Sequence, residues 1–202
     1  MAEALDWLQQ LLGGAPQPRG AMPPLTGGED ERPDALQALQ GALGAQRSPE
    51  IPGVPGVARP LLDAVASGEA PGYNIRYDGG KGSTFDSFDD HPRQLERITA
   101  GPYRGKFSDA AGRYQLISKT WDPLARQYGL PDFSPENQDF AAWQLANDSY
   151  RRMSRGQDLT EALQAGRYDD IASALAPEWA SIGRNPNDFV STLRKLSAPA
   201  GS

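Results

Sequence analysis

The amino-acid sequence changes character near residue 58, and this change limits where a folded core can form. Residues 1–58 contain repeated Gly and Pro, one aromatic residue, Trp7, and no Lys. Such a stretch buries too little apolar surface to offset the entropy that is lost on ordering. From Arg59 onward, aromatic residues are frequent and apolar residues recur at helical spacing. We therefore predict a linker or docking tail at residues 1–58 and one folded domain at residues 59–202.

Two clusters of leucines interrupt the tail, and within each cluster the side chains share one helical face. They are Leu5, Leu8, Leu11 and Leu12 in the first cluster and Leu36, Leu39 and Leu43 in the second. Two interpretations are open. Either the clusters form transient helices in a linker, or they form helices that become ordered on a partner.

The overall charge and the rare residue types argue against several classes of protein. The net charge is −6 with no basic cluster, which argues against nucleic-acid binding, where Lys and Arg contact phosphates. No apolar run approaches the ~20 residues that span a bilayer, and the first residues lack the pattern of a signal peptide. The chain has no Cys and one His, so we predict no metal site and no cofactor.

Residues 59–202 are predicted to form a mostly helical α+β domain with one small hairpin near its start. Strand-like residues at 73–77 and 83–88 flank the turn residues Asp78-Gly79-Gly80, which predicts the hairpin. Helical periodicity, Pro in first turns and Ser or Gly at helix ends indicate the helices. These are predicted from Pro60 to about Ser67, from a Ser118 cap to about Tyr128, from Ser134-Pro135 to before Gly156, and near 159–165, 168–176 and 187–196.

Glu69 follows Ser67 and Gly68 at the predicted end of the first helix. Carbonyl oxygens and the negative end of the helix dipole gather there and disfavour a carboxylate. Partial burial would raise the pKa of this carboxyl group further, toward the range of a general acid. A solvated Glu at a helix end is the more common case, so this pattern alone does not assign a function.

A second candidate segment runs from Ala110 to Gln115. Small residues followed by Gly112 allow a backbone to approach a ligand closely. Tyr114 then offers an aromatic wall, and Gln115 offers an amide that donates and accepts hydrogen bonds. Sugar-binding sites combine these two kinds of group, although a loop entering a helix has the same pattern.

The order and spacing of these segments resemble those of the phage lambda type of endolysin, a family of lytic transglycosylases in the lysozyme-like superfamily. The resemblance covers roughly residues 60–197 and has no counterpart for residues 1–58. It implies a two-lobed lysozyme-like fold that holds a peptidoglycan glycan strand between its lobes, with Glu69 as the catalytic acid. The similar stretches are Ser67-Gly68-Glu69, Gly72-Tyr73-Asn74, Asp90-His91-Pro92-Arg93, Ala111-Gly112-Arg113-Tyr114-Gln115-Leu116, Phe133-Ser134-Pro135, Gln138-Asp139 and Trp179-Ala180-Ser181.

The resemblance also implies that the glycan binds to the hairpin and to residues 112–115. It favours a route in which Glu69 works alone and the bond between MurNAc and GlcNAc is cut with formation of 1,6-anhydro-MurNAc. The candidate substrate-binding residues are Tyr73, Gly112, Arg113, Tyr114, Gln115 and Gln138.

Two alternatives to this activity stay open. A hydrolytic muramidase needs a second carboxylate, and Asp86 and Asp89 are the candidates for it. Asp78 is better explained as a turn residue and Asp90 as a helix cap, and we expect a structural role for the neighbouring His91. The domain could also be an inactive cell-wall-binding module, since a fold does not settle function.

Residues 1–58 bear on how such an enzyme reaches its substrate. The enzyme could wait in the host cytoplasm until it is released, or residues 1–58 could attach it to other virion proteins. The extra segment and the acidic charge favour the virion. In both cases the enzyme would act on the cell wall in the periplasm.

Overall fold

The structure, a computed structural model, describes residues 53–199 apart from Gly80 and Pro102. In this range helices dominate and the strands are short, so the predicted α+β class is confirmed. The helices are α1 (Arg59–Glu69), α2 (Ser118–Tyr128), α3 (Pro135–Met153), α4 (Leu159–Gln164), α5 (Tyr168–Leu175), α6 (Ala180–Arg184) and α7 (Pro186–Ser197), and the strands are β1 (Glu96–Arg97) and β2 (Phe107–Ser108). A 3-10 turn, Gly56–Ala58, precedes α1.

Prolines and turn residues set the helix ends close to where the sequence predicts them. Pro60, Pro135 and Pro186 occupy first-turn positions, where a missing N–H removes no helical hydrogen bond. Gly129 ends α2 in the left-handed conformation, with φ of 66°. The sequence pattern does not predict α6, because five residues are too few to show helical periodicity.

Ser118 does not cap α2, contrary to the prediction. It is the first helical residue, and its hydroxyl donates to Asp109 Oδ2 at 2.5 Å. Asp109 Oδ1 also accepts from the Ser118 backbone N–H at 3.3 Å. A carboxylate nine residues upstream therefore supplies the acceptor at this helix start.

A single cluster of buried side chains holds the helices together. Helix α1 packs chiefly against α7 and also contacts α6 and α3. Leu61 and Leu62 of α1, Trp121 of α2 and Leu193 of α7 are each at most 2% exposed. Because full burial of a leucine contributes about 2 kcal/mol, α1 and the Glu69 at its end are held firmly in place.

The folded domain begins before α1, earlier than the boundary predicted from composition. Ala58 has no exposed surface, and Val54 and Val57 are partly buried against the core. A Cβ placed on Gly53 would lie 2.7 Å from the Phe140 ring, so this backbone runs directly over α3. Both leucine clusters of the predicted tail lie outside the described residues.

The predicted hairpin is present as one bridge rather than an extended ladder. Ile75 pairs with Thr84 in antiparallel orientation. The Asp78 carboxylate closes the turn, because it accepts the backbone N–H groups of Lys81 at 2.7 Å and Ser83 at 2.6 Å. The predicted role of Asp78 as a turn residue is therefore confirmed.

A two-stranded antiparallel sheet of β1 and β2 follows this turn, and the sequence pattern does not predict it. Glu96 pairs with Ser108, and Arg97 pairs with Phe107. Each strand has two residues, too few to show the alternation typical of a strand. Arg76 joins this sheet to the preceding bridge, because its Nη1 lies 3.0 Å from Glu96 Oε1.

The segment at His91 is not a helix start, contrary to the prediction, because Arg93 adopts a left-handed φ of 49°. Asp90 instead accepts the His91 backbone N–H at 2.7 Å and pairs with Arg93. The His91 ring is buried, with Nε2 donating to Leu116 O at 2.8 Å and Nδ1 accepting from Arg93 N at 3.1 Å. These bonds define a neutral imidazole, and burial lowers its pKa below the ordinary value. The structural role expected for His91 is confirmed.

Candidate active site

Glu69 is the last residue of α1, as the sequence predicts, and its side chain is only partly exposed. Its Oε1 accepts two hydrogen bonds from one residue, from Ser181 Oγ at 2.5 Å and from the Ser181 backbone N–H at 3.2 Å. Ser181 lies in the first turn of α6, 112 positions further along the chain. The fold thus brings the end of one helix and the start of another together around this carboxyl group.

The pKa of Glu69 lies above its ordinary value. Burial is the largest cause, because it disfavours the charged carboxylate. The bonds from Ser181 and the positive charge of Arg184 act in the opposite direction without cancelling the effect of burial. A carboxyl group that holds its proton more tightly, yet has donors in place for its carboxylate form, is suited to give a proton and take one back.

A glycine and a buried tryptophan allow α6 to approach α1 this closely. A Cβ on Gly68 would lie 2.9 Å from Ser181 Oγ, so a larger residue would push the hydroxyl away from Glu69. Trp179, just before α6, is buried, and its indole Nε1 donates to Tyr114 O at 3.1 Å. Sequence reasoning missed Ser181 as a partner of Glu69. The one available signal was its place beside Trp179 in a stretch that resembles the family.

A second carboxylate, Asp139 of α3, organises the candidate substrate-binding segment. It is 3% exposed and accepts from Tyr114 Oη at 2.5 Å and from Tyr73 Oη at 2.9 Å. Arg59 Nη1 lies 3.0 Å from Asp139 Oδ2. Burial, and then the charge of Asp139, raises the pKa of both tyrosines, so both hydroxyls stay protonated and donate. We call Arg59, Tyr73, Tyr114 and Asp139 the Asp139 cluster.

Tyr114 and Gln138 do not face a cleft, contrary to the prediction that they contact substrate. Tyr114 is 1% exposed, so neither face of its ring can stack on a sugar. Gln138 is fully buried, its Oε1 accepting from Arg113 N at 2.9 Å and its Nε2 donating to Phe133 O at 2.8 Å. Their polar groups are used within the protein, so these two residues hold the segment in position.

Gly112 is required by the fold. It is buried and has a left-handed φ of 79°. A Cβ at this position would overlap the Oε1 atom of Gln138. The backbone therefore approaches the Gln138 side chain more closely than a larger residue would permit.

Tyr73, Arg113 and Gln115 are the predicted substrate-binding residues that stay partly exposed. Arg113 Nη2 pairs with Asp63 of α1 at 2.6 Å, and the Arg113 guanidinium lies 5.2 Å from the centre of the Tyr73 ring. Gln115 has φ of 47°, and its Nε2 donates to Gly112 O at 2.9 Å. Together the three residues form a polar and aromatic surface that continues outward from the Asp139 cluster.

Asp86 and Asp89, the candidate second carboxylates, are both exposed. They follow Phe85 and Phe88, whose rings pack edge to face with their centroids 5.3 Å apart. Among the described residues, no hydrogen bond or ion pair joins either carboxylate to Glu69 or to Ser181.

Metal sites and membrane-spanning helices are absent from residues 53–199, leaving aside the two undescribed positions. Within that range no three His, Asp or Glu side chains are placed to share a metal ion. No helix in the described part of the chain combines the length and apolarity needed to cross a bilayer. Two open depressions of about 230 and 270 Å³ lie beside Trp121 and Tyr150, and Glu69 lines neither. The Glu69 site is therefore assigned from its chemistry and not from either depression.

Comparisons with known proteins agree with this geometry. A sequence profile of the Endolysin family matches residues 62–197. The endolysin of Escherichia phage lambda is 48% identical over 123 residues, which cover 60% of this chain and 72% of that protein. The endolysin of Escherichia phage P2 is 34% identical over 114 residues, which cover 55% of this chain and 64% of that protein.

Solved structures share the fold. Lysozyme from bacteriophage lambda aligns with a TM-score of 0.58 at 23% identity, covering 71% of this chain and 95% of that one. Bacteriophage lambda lysozyme complexed with a chitohexasaccharide aligns with a TM-score of 0.57 at 25% identity, covering 72% and 96% of the two chains. The predicted lysozyme-like fold is therefore confirmed, and the profile match includes both Glu69 and Ser181. The chain belongs to the endolysin family, the phage enzymes that degrade bacterial peptidoglycan.

Proposed function

We propose that this endolysin is a lytic transglycosylase, which cuts the β-1,4 bond between MurNAc and GlcNAc and leaves a 1,6-anhydro-MurNAc end. The observation that carries the proposal is the Glu69 carboxyl group. It has a raised pKa, and its Oε1 accepts two hydrogen bonds from Ser181. One acid suffices for this reaction, whereas hydrolysis generally uses two carboxyl groups. The lambda lysozyme solved with a chitohexasaccharide supports an amino-sugar strand as the substrate.

In the proposed reaction, Glu69 donates its proton to the glycosidic oxygen as the bond from that oxygen to C1 of MurNAc breaks. The C6 hydroxyl of the same MurNAc attacks C1 and closes the anhydro ring. The Glu69 carboxylate accepts the proton that this hydroxyl loses, so the acid is restored and no water is consumed. Because the nucleophile belongs to the reacting sugar, no second carboxylate is needed to position a water molecule.

Ser181 fits both halves of this reaction. Its two donors occupy Glu69 Oε1, which leaves Oε2 to carry the transferred proton. After the transfer, the same two bonds stabilise the carboxylate, since hydrogen bonds to a charged acceptor are stronger than those to a neutral one. We therefore assign Ser181 as a positioning residue for the catalytic acid.

The residues around the site divide into proposed contacts and proposed supports. Tyr73, Arg113 and Gln115 are proposed to contact the glycan, because they stay partly exposed. The buried residues Gly112 and Gln138, together with Arg59, Tyr114 and Asp139, are proposed to hold these contacts in place.

Product analysis tests the proposed reaction. Digested sacculi should yield anhydro ends, lighter than reducing ends by one water in a mass spectrum and resistant to borohydride. Asp86→Asn and Asp89→Asn should each keep most of the activity, because neither is needed to activate water. Mainly reducible ends, together with a loss of several orders of magnitude in one of these variants, would instead identify a muramidase. An intact protein that releases no fragments would support the inactive binding module.

For delivery, we propose that residues 1–58 attach the enzyme to other virion proteins. The support is the sequence alone, in which leucine clusters stand within a Pro- and Gly-rich stretch. Purified phage particles should then contain the protein, and deletion of residues 1–52 should remove it from them. Its absence from wild-type particles would favour a free enzyme that waits in the host cytoplasm.

A further inference from the structure

The hairpin formed by β1, β2 and their connection presents exposed apolar side chains together with cations. We call residues 95–108 the basic hairpin. Leu95 is 67% exposed, Tyr103 55% and Phe107 64%, and all three are among the most exposed large apolar residues of the described part of the chain. A small domain that leaves such side chains together in solvent commonly uses them to bind a partner.

Strand register separates the two faces of the basic hairpin. Arg97 lies directly opposite Phe107, so their side chains project from the same face, and both are exposed. Glu96 lies opposite Ser108 on the other face, where both residues are partly buried. Glu96 is the one acidic residue of the basic hairpin, and it is neutralised by Arg76 at 3.0 Å.

Among the residues that the structure describes, no acidic side chain pairs with the cations of the basic hairpin. Arg97, Arg104 and Lys106 are exposed, and within the described residues none of them forms an ion pair. Lys106 Nζ instead lies 5.2 Å from the centre of the Tyr103 ring. Three unneutralised cations on one short hairpin stand out in a chain with a net charge of −6, and they indicate an anionic partner.

We propose that the basic hairpin binds the carboxylates of the peptide stems that project from MurNAc, an inference that rests on the proposed function. Stem peptides carry small methyl side chains as well as carboxylates, which suits a face where Arg97 stands beside Phe107. A lipid surface fits less well, because insertion would bury Arg97 within the apolar strip.

The position of the basic hairpin in the chain agrees with contact to the stems. Its anchor, Arg76, is seven residues after Glu69, so their backbones are separated by at most about 25 Å. An extended stem of about four residues reaches roughly 13 Å from the glycan. A stem is therefore about half as long as the largest possible separation between the backbones of Glu69 and Arg76.

Binding to two forms of the wall tests the proposal independently of catalysis. The full chain with Glu69→Gln is sedimented with intact sacculi and with glycan strands from which an amidase has removed the stems. The test variant adds Arg97→Gln, Arg104→Gln and Lys106→Gln. A matched control instead adds Arg126→Gln, Arg151→Gln and Lys195→Gln, which removes the same charge from exposed positions on the helices.

The parent and the control should bind the stem-bearing wall roughly tenfold more tightly than the stripped strands, as expected for three surface ion pairs. Added salt should reduce this preference. The test variant should lose the preference and bind the stripped strands as well as the parent does.

Two results would overturn the proposal. The first is a test variant that keeps the preference. The second is a test variant that binds stripped strands more weakly than the parent, because the hairpin would then contact the sugars themselves. Vesicles of anionic phospholipid give a separate comparison, and loss of vesicle binding with an unchanged preference for stems would identify a lipid partner. Failure of the proposed function would be seen in a different measurement: the enzyme with Glu69 intact would release no glycan fragments from sacculi.

Discussion

Glu69 and Asp139 are two carboxyl groups of one small domain, and their surroundings differ in kind. Asp139 is 3% exposed, and its oxygens accept from two phenol hydroxyls and a guanidinium. Glu69 is partly exposed, and within the described residues its hydrogen-bond donors all belong to Ser181. One carboxylate is committed to partners within the protein, while the other keeps an oxygen for exchange with a ligand.

This difference shows that burial by itself does not identify a catalytic acid. Arg59 lies in direct contact with Asp139, whereas Arg184 acts on Glu69 without forming an ion pair with it among the described residues. With no cation in contact, burial dominates at Glu69 and raises its pKa. The same change from carboxyl to amide should therefore reduce mainly catalysis at Glu69 and mainly stability at Asp139.

The largest expected effect is on catalysis at Glu69. Glu69→Gln should abolish wall lysis and leave the fold intact, because the amide is nearly isosteric but donates no proton to the leaving oxygen. General acid–base catalysis contributes roughly 10²–10⁴-fold, so the rate of glycan release from sacculi should fall at least that far. An unchanged thermal melt with more than about a tenth of the activity would contradict the assignment.

The stability of Glu69→Gln provides the matching control. The raised folded-state pKa of Glu69 adds stability that is fully present below its unfolded-state pKa and is lost as pH rises through the folded-state pKa. The variant lacks this dependence, so its stability should improve relative to the wild type as pH rises. Urea unfolding at pH values below and above this range gives the difference in the free energy of unfolding between the variant and the wild type. If this difference moved against the variant as pH rises, the pKa of Glu69 would not be raised.

At Asp139 the amide should act on stability instead. Asp139→Asn should lower the free energy of unfolding by about 2–3 kcal/mol, because it removes the buried partner of Arg59 and leaves only Asp63, at 3.5 Å. This is less than for a fully buried pair, since the Arg59 side chain is 30% exposed. Urea unfolding gives the loss, and activity measured at low temperature should stay within tenfold of the wild type (roughly). A loss of activity with unchanged stability would show that Asp139 takes part in catalysis.

Truncation tests how the start of the domain supports the Asp139 cluster. Removal of residues 1–58 should cost about 2 kcal/mol, because Ala58 and its neighbours bury apolar surface and anchor α1 just before Arg59. Removal of residues 1–52 should leave stability nearly unchanged. Denaturant unfolding compares the two truncated chains, and an equal loss in both would place the stabilising contacts before Gly53.

The smallest effect is expected at Ser181. Ser181→Ala removes a hydrogen bond that lowers the pKa of Glu69, so this pKa should rise further and the alkaline limb of kcat/KM should move to higher pH. The rate at the optimum should fall roughly 2–10-fold. Gly68→Ala should shift the limb in the same direction by displacing the hydroxyl, whereas Ser181→Thr should restore it. A lower rate with an unmoved limb would leave Ser181 a merely structural role.

Much of the fold follows from local sequence patterns. The prolines at 60, 135 and 186 and the glycine at 129 mark helix ends that the structure places within a few residues of the prediction. Such patterns do not predict β1, β2 and α6, because elements of two to five residues are too short to show a repeating pattern. The start of the domain was also predicted too late, since its composition hides the packing of Ala58.

The sequence by itself determined the helical character of the domain and the position of Glu69 at a helix end, because both depend on residues within a turn or two. Only the tertiary structure decided which side chains surround that carboxyl group. Ser181 reaches Glu69 across 112 positions. Tyr114 donates a hydrogen bond to Asp139 of α3, and Gln138 of α3 donates one to Phe133 O, just before that helix. The physical reason is that burial and pairing depend on how whole helices pack, and a side chain's own neighbours in sequence do not specify that packing.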